Sequence, residues 1–190
     1  MDIGSLIKSA KAQGAGEGAL PVEKWHPEYC GEMDMVIRRD GTWWHEGAMI
    51  TRKPLVKLFS SILRKDEDEE TYLVTPAEKI KIKVECAHFI AARVDVQGNG
   101  VDTRLFFTTN MDETIEAGPG RALTVQTDPE TMEPMPLLRV RGRLDALLAR
   151  PVFYELVNIA EERDLGLGPQ LGVYSGGEFF PLGPPGIHNV

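Results

Sequence analysis

Apolar and polar positions alternate most regularly over residues 79–86. Ile80, Ile82, Val84 and Cys86 fall on one side, and Lys79, Lys81, Lys83 and Glu85 on the other. This period of two marks a half-buried strand with one wet face. Tyr72, Leu73 and Val74 read as a short buried strand that ends before Pro76. Further upstream, residues 35–39 and 42–46 flank Asp40-Gly41, a pair suited to the positive-φ turn of a β-hairpin. Pro54 then opens a helix in which Leu55, Leu58, Phe59 and Ile62 recur at i, i+3, i+4 and i+7. The acid run 66–70 reads as a solvated loop after that helix.

The second half follows the same rules. Strands are expected over 89–96 and 103–109, joined by Gln97-Gly98-Asn99-Gly100, with a turn over 110–113 and a short strand near Ile115. A strand over 123–127 leads into a loop, 128–136, that carries three prolines, and a further strand is expected over 137–144. A helix over 152–162 puts Phe153, Leu156, Val157 and Ala160 on one face. Two short strands near 171–174 and 178–182 flank the turn Ser175-Gly176-Gly177. Residues 1–21 read as a flexible leader beginning with a short helix, and 183–190 as a loose tail.

The two helices have similar surroundings. An offset of 98 residues carries Arg52 onto Arg150, Leu55 onto Phe153 and Leu58 onto Leu156. The expected fold is therefore α+β: two related halves, 22–96 and 97–182, of mainly antiparallel strands with one packing helix each. A seam between two such halves is a preferred place for a ligand.

Composition narrows the function classes. The chain has 190 residues, 42% apolar and 26% charged, which is ordinary globular make-up. A net charge of -8 argues against binding nucleic-acid polymers or an anionic membrane surface. With two cysteines and no signal-peptide or membrane-spanning apolar run, a cytoplasmic protein is expected. Every basic residue after Lys83 is an arginine.

Several residue groups could carry chemistry. Arg139, Arg141 and Arg143 alternate, so on one strand they share a face. Three neighbouring guanidinium groups require anions, supplied by a ligand or by the chain's own carboxylates. Trp43 and Trp44 follow the hairpin turn. One is expected in the core, and Trp44 either packs or stacks on a ligand. His45 is a structural histidine or an orienting group. Arg52 and Arg150 stand at helix entrances, where they attract an anion or pair with a helix acid such as Glu155. Glu78 either closes a Thr75 cap or offers a polar contact. His26, Cys30, Cys86 and His88 do not have zinc-finger spacing. Gly14-x-Gly16-x-Gly18 lacks the dinucleotide spacing, and no convincing nucleophile–base pair is legible. No metal, cofactor or catalytic residue is expected.

The blocks Asp40-Gly41-Thr42-Trp43-Trp44-His45, Leu73-Val74-Thr75-Pro76-Ala77-Glu78-Lys79, residues 139–154 and Ser175-Gly176-Gly177-Glu178-Phe179-Phe180 resemble the bacterial family called domain of unknown function 1285. The resemblance spans residues 22–182. It implies a duplicated α+β core, a C-terminal half of pleckstrin-homology-like shape, a ligand site between the halves for a nucleotide-like molecule, and a signalling role. It implies no reaction. The leading expectation is a non-enzymatic sensor or binding module for a small anion. Arg52, Arg141 and Arg150 would neutralise its charge, Trp44 would stack, and His45 and Glu78 would orient polar groups. The alternatives are a protein-interaction module or homodimer without a small ligand, and an enzyme at the same seam.

Overall fold

The computed structural model describes residues 3–15, 20–129, 131–166 and 168–185. It divides into two units, Met1–His88 with Gly142–Leu144, and Phe89–Arg141 with Asp145–Val190. The division falls at His88, not after Val96 as the pattern suggested, because the long strand beginning at Phe89 pairs within the second unit.

The first unit begins with helix α1 (Ile3–Ala12). Within the segment expected to be a flexible leader, Ile3–Ala12 is a packed helix. Leu6 and Ala10 are fully buried, and α1 packs on helix α2 (Lys53–Ser61). Six strands form one sheet: β1 (Tyr29–Ile37), β2 (Trp43–His45), β3 (Ala48–Met49), β4 (Leu63–Lys65), β5 (Thr71–Val74) and β6 (Lys79–Val84), in the order β3-β2-β1-β6-β5-β4. Only β1 and β6 pair in parallel; the other pairs are antiparallel. The alternation read in β6 is real: Ile80 and Ile82 are buried, whereas Lys83 is exposed. Cys86, expected as a core thiol, lies beyond the strand end and is half-exposed. The core is Met35, Ile37, Trp43, Phe59, Leu63, Leu73 and Ile80, with Trp43 stacked on Phe59. In α2 the buried face is Val56, Leu58 and Phe59, while Leu55 is only half-buried.

The second unit has a six-stranded sheet of β7 (Phe89–Gln97), β8 (Arg104–Thr109), β9 (Thr114–Glu116), β10 (Leu123–Thr127), β11 (Pro134–Arg141) and β12 (Leu144–Leu148), in the order β10-β11-β12-β7-β8-β9. Helix α3 (Arg150–Asn158) leads into a three-stranded antiparallel meander, β13 (Glu161–Asp164), β14 (Pro169–Ser175) and β15 (Glu178–Gly183). Gly172 is a close-approach position. A Cβ there would come within 2.4 Å of the Phe179 ring.

Four expectations change here. The loop over 128–136 is shorter, because β11 starts at Pro134 and pairs through Pro136 with Val125. The expected strand 137–144 is really the end of β11 and the start of β12, with Gly142-Arg143 as the turn between them; Gly142 has φ +51°. Arg143 therefore does not share a strand face with Arg139 and Arg141. Helix α3 ends at Asn158, and the residues after Ala160 form β13. Finally, the helices superpose in sequence at an offset of 97, not 98. Lys53–Ser61 corresponds to Arg150–Asn158, and Pro54 to Pro151. Arg52 is then equivalent to Ala149, the cap residue of α3, and not to Arg150.

Each unit thus contains a helix followed by a three-stranded antiparallel meander. The fold is α+β, with mixed and antiparallel sheets and two domains in a duplicated arrangement. The tail residues 186–190 and Gly16 to Ala19 lie outside the described residues. No described helix is long and apolar enough to cross a membrane.

Candidate functional site

The six residues expected at a site fall in both units. In the first, Trp44 is half-buried on β2. Its Nε1 donates to Thr42 Oγ1 at 2.9 Å, and the Arg38 guanidinium lies 3.8 Å from its ring centroid. One stacking face is thus occupied by the chain's own cation. His45 Nδ1 is 2.8 Å from Asp34 O; a carbonyl only accepts, so Nδ1 carries the proton. Arg52 is the exposed cap residue of α2, with no side-chain cap bond. Glu78 precedes β6, where its N–H donates to Thr75 Oγ1 at 3.3 Å and its carbonyl accepts from Thr75 N. That is the capped turn read from the sequence.

In the second unit, Arg141 pairs with Glu113 at 2.9 Å and stands over the Phe89 ring. Arg150 pairs with Glu133 at 2.8 Å, not with Glu155. Arg139 holds Asp145 at 2.5 Å. The arginines of this stretch therefore meet carboxylates of the chain itself, one of the two anion sources considered above.

None of the six lines the cleft that the first unit does form. It has a volume of about 400 Å³, and its polar lining comprises Lys65, Lys81 and Lys83, the acids Glu32, Glu69 and Glu70, and Thr71, Cys86 and His88. The β4–β5–β6 meander builds it. Lys81 comes from the wet face of β6, and Thr71 sits opposite Ile82. Thr71 and His88 are both buried, with Thr71 Oγ1 3.1 Å from His88 Nε2. Lys65 pairs with Glu69 at 2.6 Å. Lys81 lies 2.9 Å from Glu70 and 3.4 Å from Glu32, and its pKa is raised, chiefly by the hydrogen bond to Glu70. Among the described residues Lys83 has no ion-pair partner.

The acid run beside this cleft is not simply solvated. Arg64 is buried on β4. It donates to Asp66 through Nε at 2.5 Å and Nη2 at 3.1 Å, and through Nη1 to the carbonyls of Val22 and Trp25. Lys79 Nζ reaches Asp66 at 2.5 Å and lies over the Tyr72 ring. Burial pushes the Asp66 carboxyl up, but the bonds from Arg64 and Lys79 outweigh it, so its pKa lies below the usual 3.8. The Tyr72 hydroxyl donates to Asp68 at 2.6 Å, which raises the phenol's pKa and lowers that of the acid. Arg143, which counts with this unit, pairs with Glu69 at 2.9 Å. A second cleft, of about 480 Å³, sets the acids Glu23, Asp66, Glu67 and Asp68 against Arg64, Lys65 and Arg143. Among the described residues no three metal-ligating side chains stand together.

The lysine row was visible in the sequence as the polar side of an alternating strand. Thr71 carried no signal of its own and His88 stood only among the rejected zinc ligands, because what distinguishes the two is each other.

Comparison with known proteins gives a consistent result. The DUF1285 N-terminal domain, a domain of unknown function, matches residues 20–87. The DUF1285 C-terminal domain, likewise of unknown function, matches residues 88–182. A crystal structure of a DUF1285 family protein from Silicibacter pomeroyi DSS-3 is 43% identical, with a TM-score of 0.87 and 95% of each chain covered. Another, from Shewanella baltica OS155, is 22% identical, has a TM-score of 0.51 and covers 66% of this chain and 91% of its own; it speaks to the fold alone. No curated protein matches. With both domains matched end to end and a close structural relative over nearly the whole chain, this protein belongs to the DUF1285 family.

Proposed function

We propose that the chain is a non-enzymatic binding module for a small anionic ligand of nucleotide-like or other phosphorylated class, held in the cleft of the first unit. Signalling use in the cytoplasm belongs to the same reading. The observation that carries it is one cleft lined by Lys65, Lys81 and Lys83, the last without an ion-pair partner among the described residues, together with the buried Thr71–His88 pair. The three lysines share the lining with Glu32, Glu69 and Glu70, and an anion competes with those exposed carboxylates for the ammonium groups. Lysine ammonium groups hold phosphate as point charges, and a hydroxyl and an imidazole can each add a directed hydrogen bond.

Thermal unfolding with inorganic phosphate, a nucleoside monophosphate and a cyclic dinucleotide tests this. A ligand at 100 times its Kd stabilises by about 2.7 kcal/mol, worth roughly 5–10 °C for a chain of this size. Lys83→Ala should abolish most of the shift. No shift with any of the three at saturation overturns the reading.

One observation favours a second reading. Thr71 Oγ1 and His88 Nε2 stand at the separation of a nucleophile and its base. Phosphorus NMR of the bound nucleotide over time separates the two: turnover that disappears in His88→Gln makes the chain an enzyme.

A further inference from the structure

The acidic loop between β4 and β5 contacts the first unit's cations with unusual regularity. Asp66 takes Arg64 and Lys79, Glu69 takes Lys65 and Arg143, and Glu70 takes Lys81. We propose that Glu69 and Glu70 are a built-in stand-in for the ligand, a pair of carboxylates that a molecule with two linked phosphates displaces from Lys65 and Lys81. This rests on the cleft's being an anion site, and it names the ligand class: a diphosphate-bearing molecule, not a monophosphate.

The loop has two kinds of acid. Asp66 and Asp68 are fixed. Asp66 is held by a buried arginine, and Asp68 accepts from the Tyr72 hydroxyl and from Glu70 N. The turn closes through Asp66 N to Glu70 O and Glu69 N to Asp66 O. Glu69 and Glu70 are different. Their side chains are 68% and 46% exposed, and the cations they pair with, Lys65, Lys81 and Arg143, are long and partly exposed. Exposed pairs of this kind are weak and exchangeable. Glu69 also sits at φ +64°, in the left-handed region that a side chain seldom adopts. That kink sends two adjacent carboxylates to different lysines, Glu69 to Lys65 and Glu70 to Lys81. Both lysines line the same cleft as Lys83. Two linked phosphates offer at least as much charge as two carboxylates, and Lys83 supplies a third ammonium group. Glu67, in the same loop, is exposed and has no partner among the described residues, so it separates this effect from bulk charge.

Isothermal titration of the full chain with pyrophosphate tests the proposal. Glu69→Gln with Glu70→Gln should tighten binding by about tenfold, the equivalent of losing two exposed competing pairs. Glu67→Gln should stay within about twofold, and wild type should prefer pyrophosphate over inorganic phosphate. If the double variant does not fold, by circular dichroism, each single variant carries the same expectation at about threefold. Wild-type binding that the loop variants leave unchanged overturns the stand-in role and leaves the anion site standing. Equal gain from Glu67→Gln, or equal affinity for phosphate, also overturns it. No binding by wild type or by any variant overturns both.

Discussion

The two copies of the helix-and-meander unit are built on the same packing but do different things with it. In the first unit α2 buries Val56, Leu58 and Phe59; in the second α3 buries Val152, Phe153 and Leu156. Both helices have a proline at the start and end after nine residues. The meanders then diverge. In the first unit β6 joins β1 in parallel, so the meander becomes part of a six-stranded sheet. Its first turn is the acidic loop, and its strands present lysines. In the second unit the meander remains a separate three-stranded sheet. A buried hydroxyl fastens it: Ser175 Oγ accepts from Leu105 N at 2.9 Å and donates to Ala117 O at 2.7 Å. Its turns use glycine, with Gly166, Gly176 and Gly177 all at positive φ. Apolar burial on one helix face keeps both copies folded, which leaves the loops free to differ. The first copy spends that freedom on charge, and the second on attachment.

The sharpest way to break the comparison is to remove the shared part. Phe59→Ala takes away a fully buried ring stacked on Trp43 and should cost about 3–5 kcal/mol, and Leu156→Ala in the other unit about 2–5 kcal/mol. Urea unfolding of both variants measures this. If one is nearly silent, the helices are not equivalent anchors. Ser175→Ala strikes only the second unit. It leaves a buried N–H and a buried carbonyl without the hydroxyl, for about 2 kcal/mol, and hydrogen exchange at Leu105 should speed up.

Asp66→Asn strikes only the first, at about 1–2 kcal/mol. The pH dependence has a definite sign. The folded carboxyl has a pKa below 3.8, so the stabilisation is fully present above the unfolded value. It is lost as pH falls from there through the folded value. Wild type and Asp66→Asn should therefore converge in stability once the pH has fallen below the folded carboxyl's own lowered pKa; a gap that persists there means the carboxylate charge is not the cause. The smallest effect is expected at Gly142→Ala. At φ +51° the new Cβ would lie 2.6 Å from Glu23 Oε1, the far end of a flexible side chain that can move. Backbone strain of about 1 kcal/mol remains, readable as a few degrees in Tm.

Much of the fold was legible because it depends on local rules. The period of two in β6, the Asp40-Gly41 and Ser175-Gly176-Gly177 turns, and the helix opened by Pro54 all sit within a few residues of the feature that specifies them. Errors came where local rules compete. Pro134 and Pro136 suggested a loop, yet both lie in β11. Glu161 to Asp164 carry no apolar period, and their strand exists because β14 supplies hydrogen-bond partners. The offset of 98 aligned two arginines, whereas the buried faces and the prolines align at 97. Arg139, Arg141 and Arg143 looked like one row until the positive φ of Gly142 turned the chain between the second and the third.

By itself, the sequence determined the class of fold, the place of each helix and the polar row of β6, since each follows from the spacing of side chains along one short segment, and it suggested the duplication. Only the tertiary structure decided which acid neutralises which base. Arg64 finds Val22 and Trp25 from some forty positions away, Arg143 finds Glu69, and His88 finds Thr71. Coulomb attraction and hydrogen bonding act over a few ångströms of space, and sequence separation says nothing about that distance until the strands are in register.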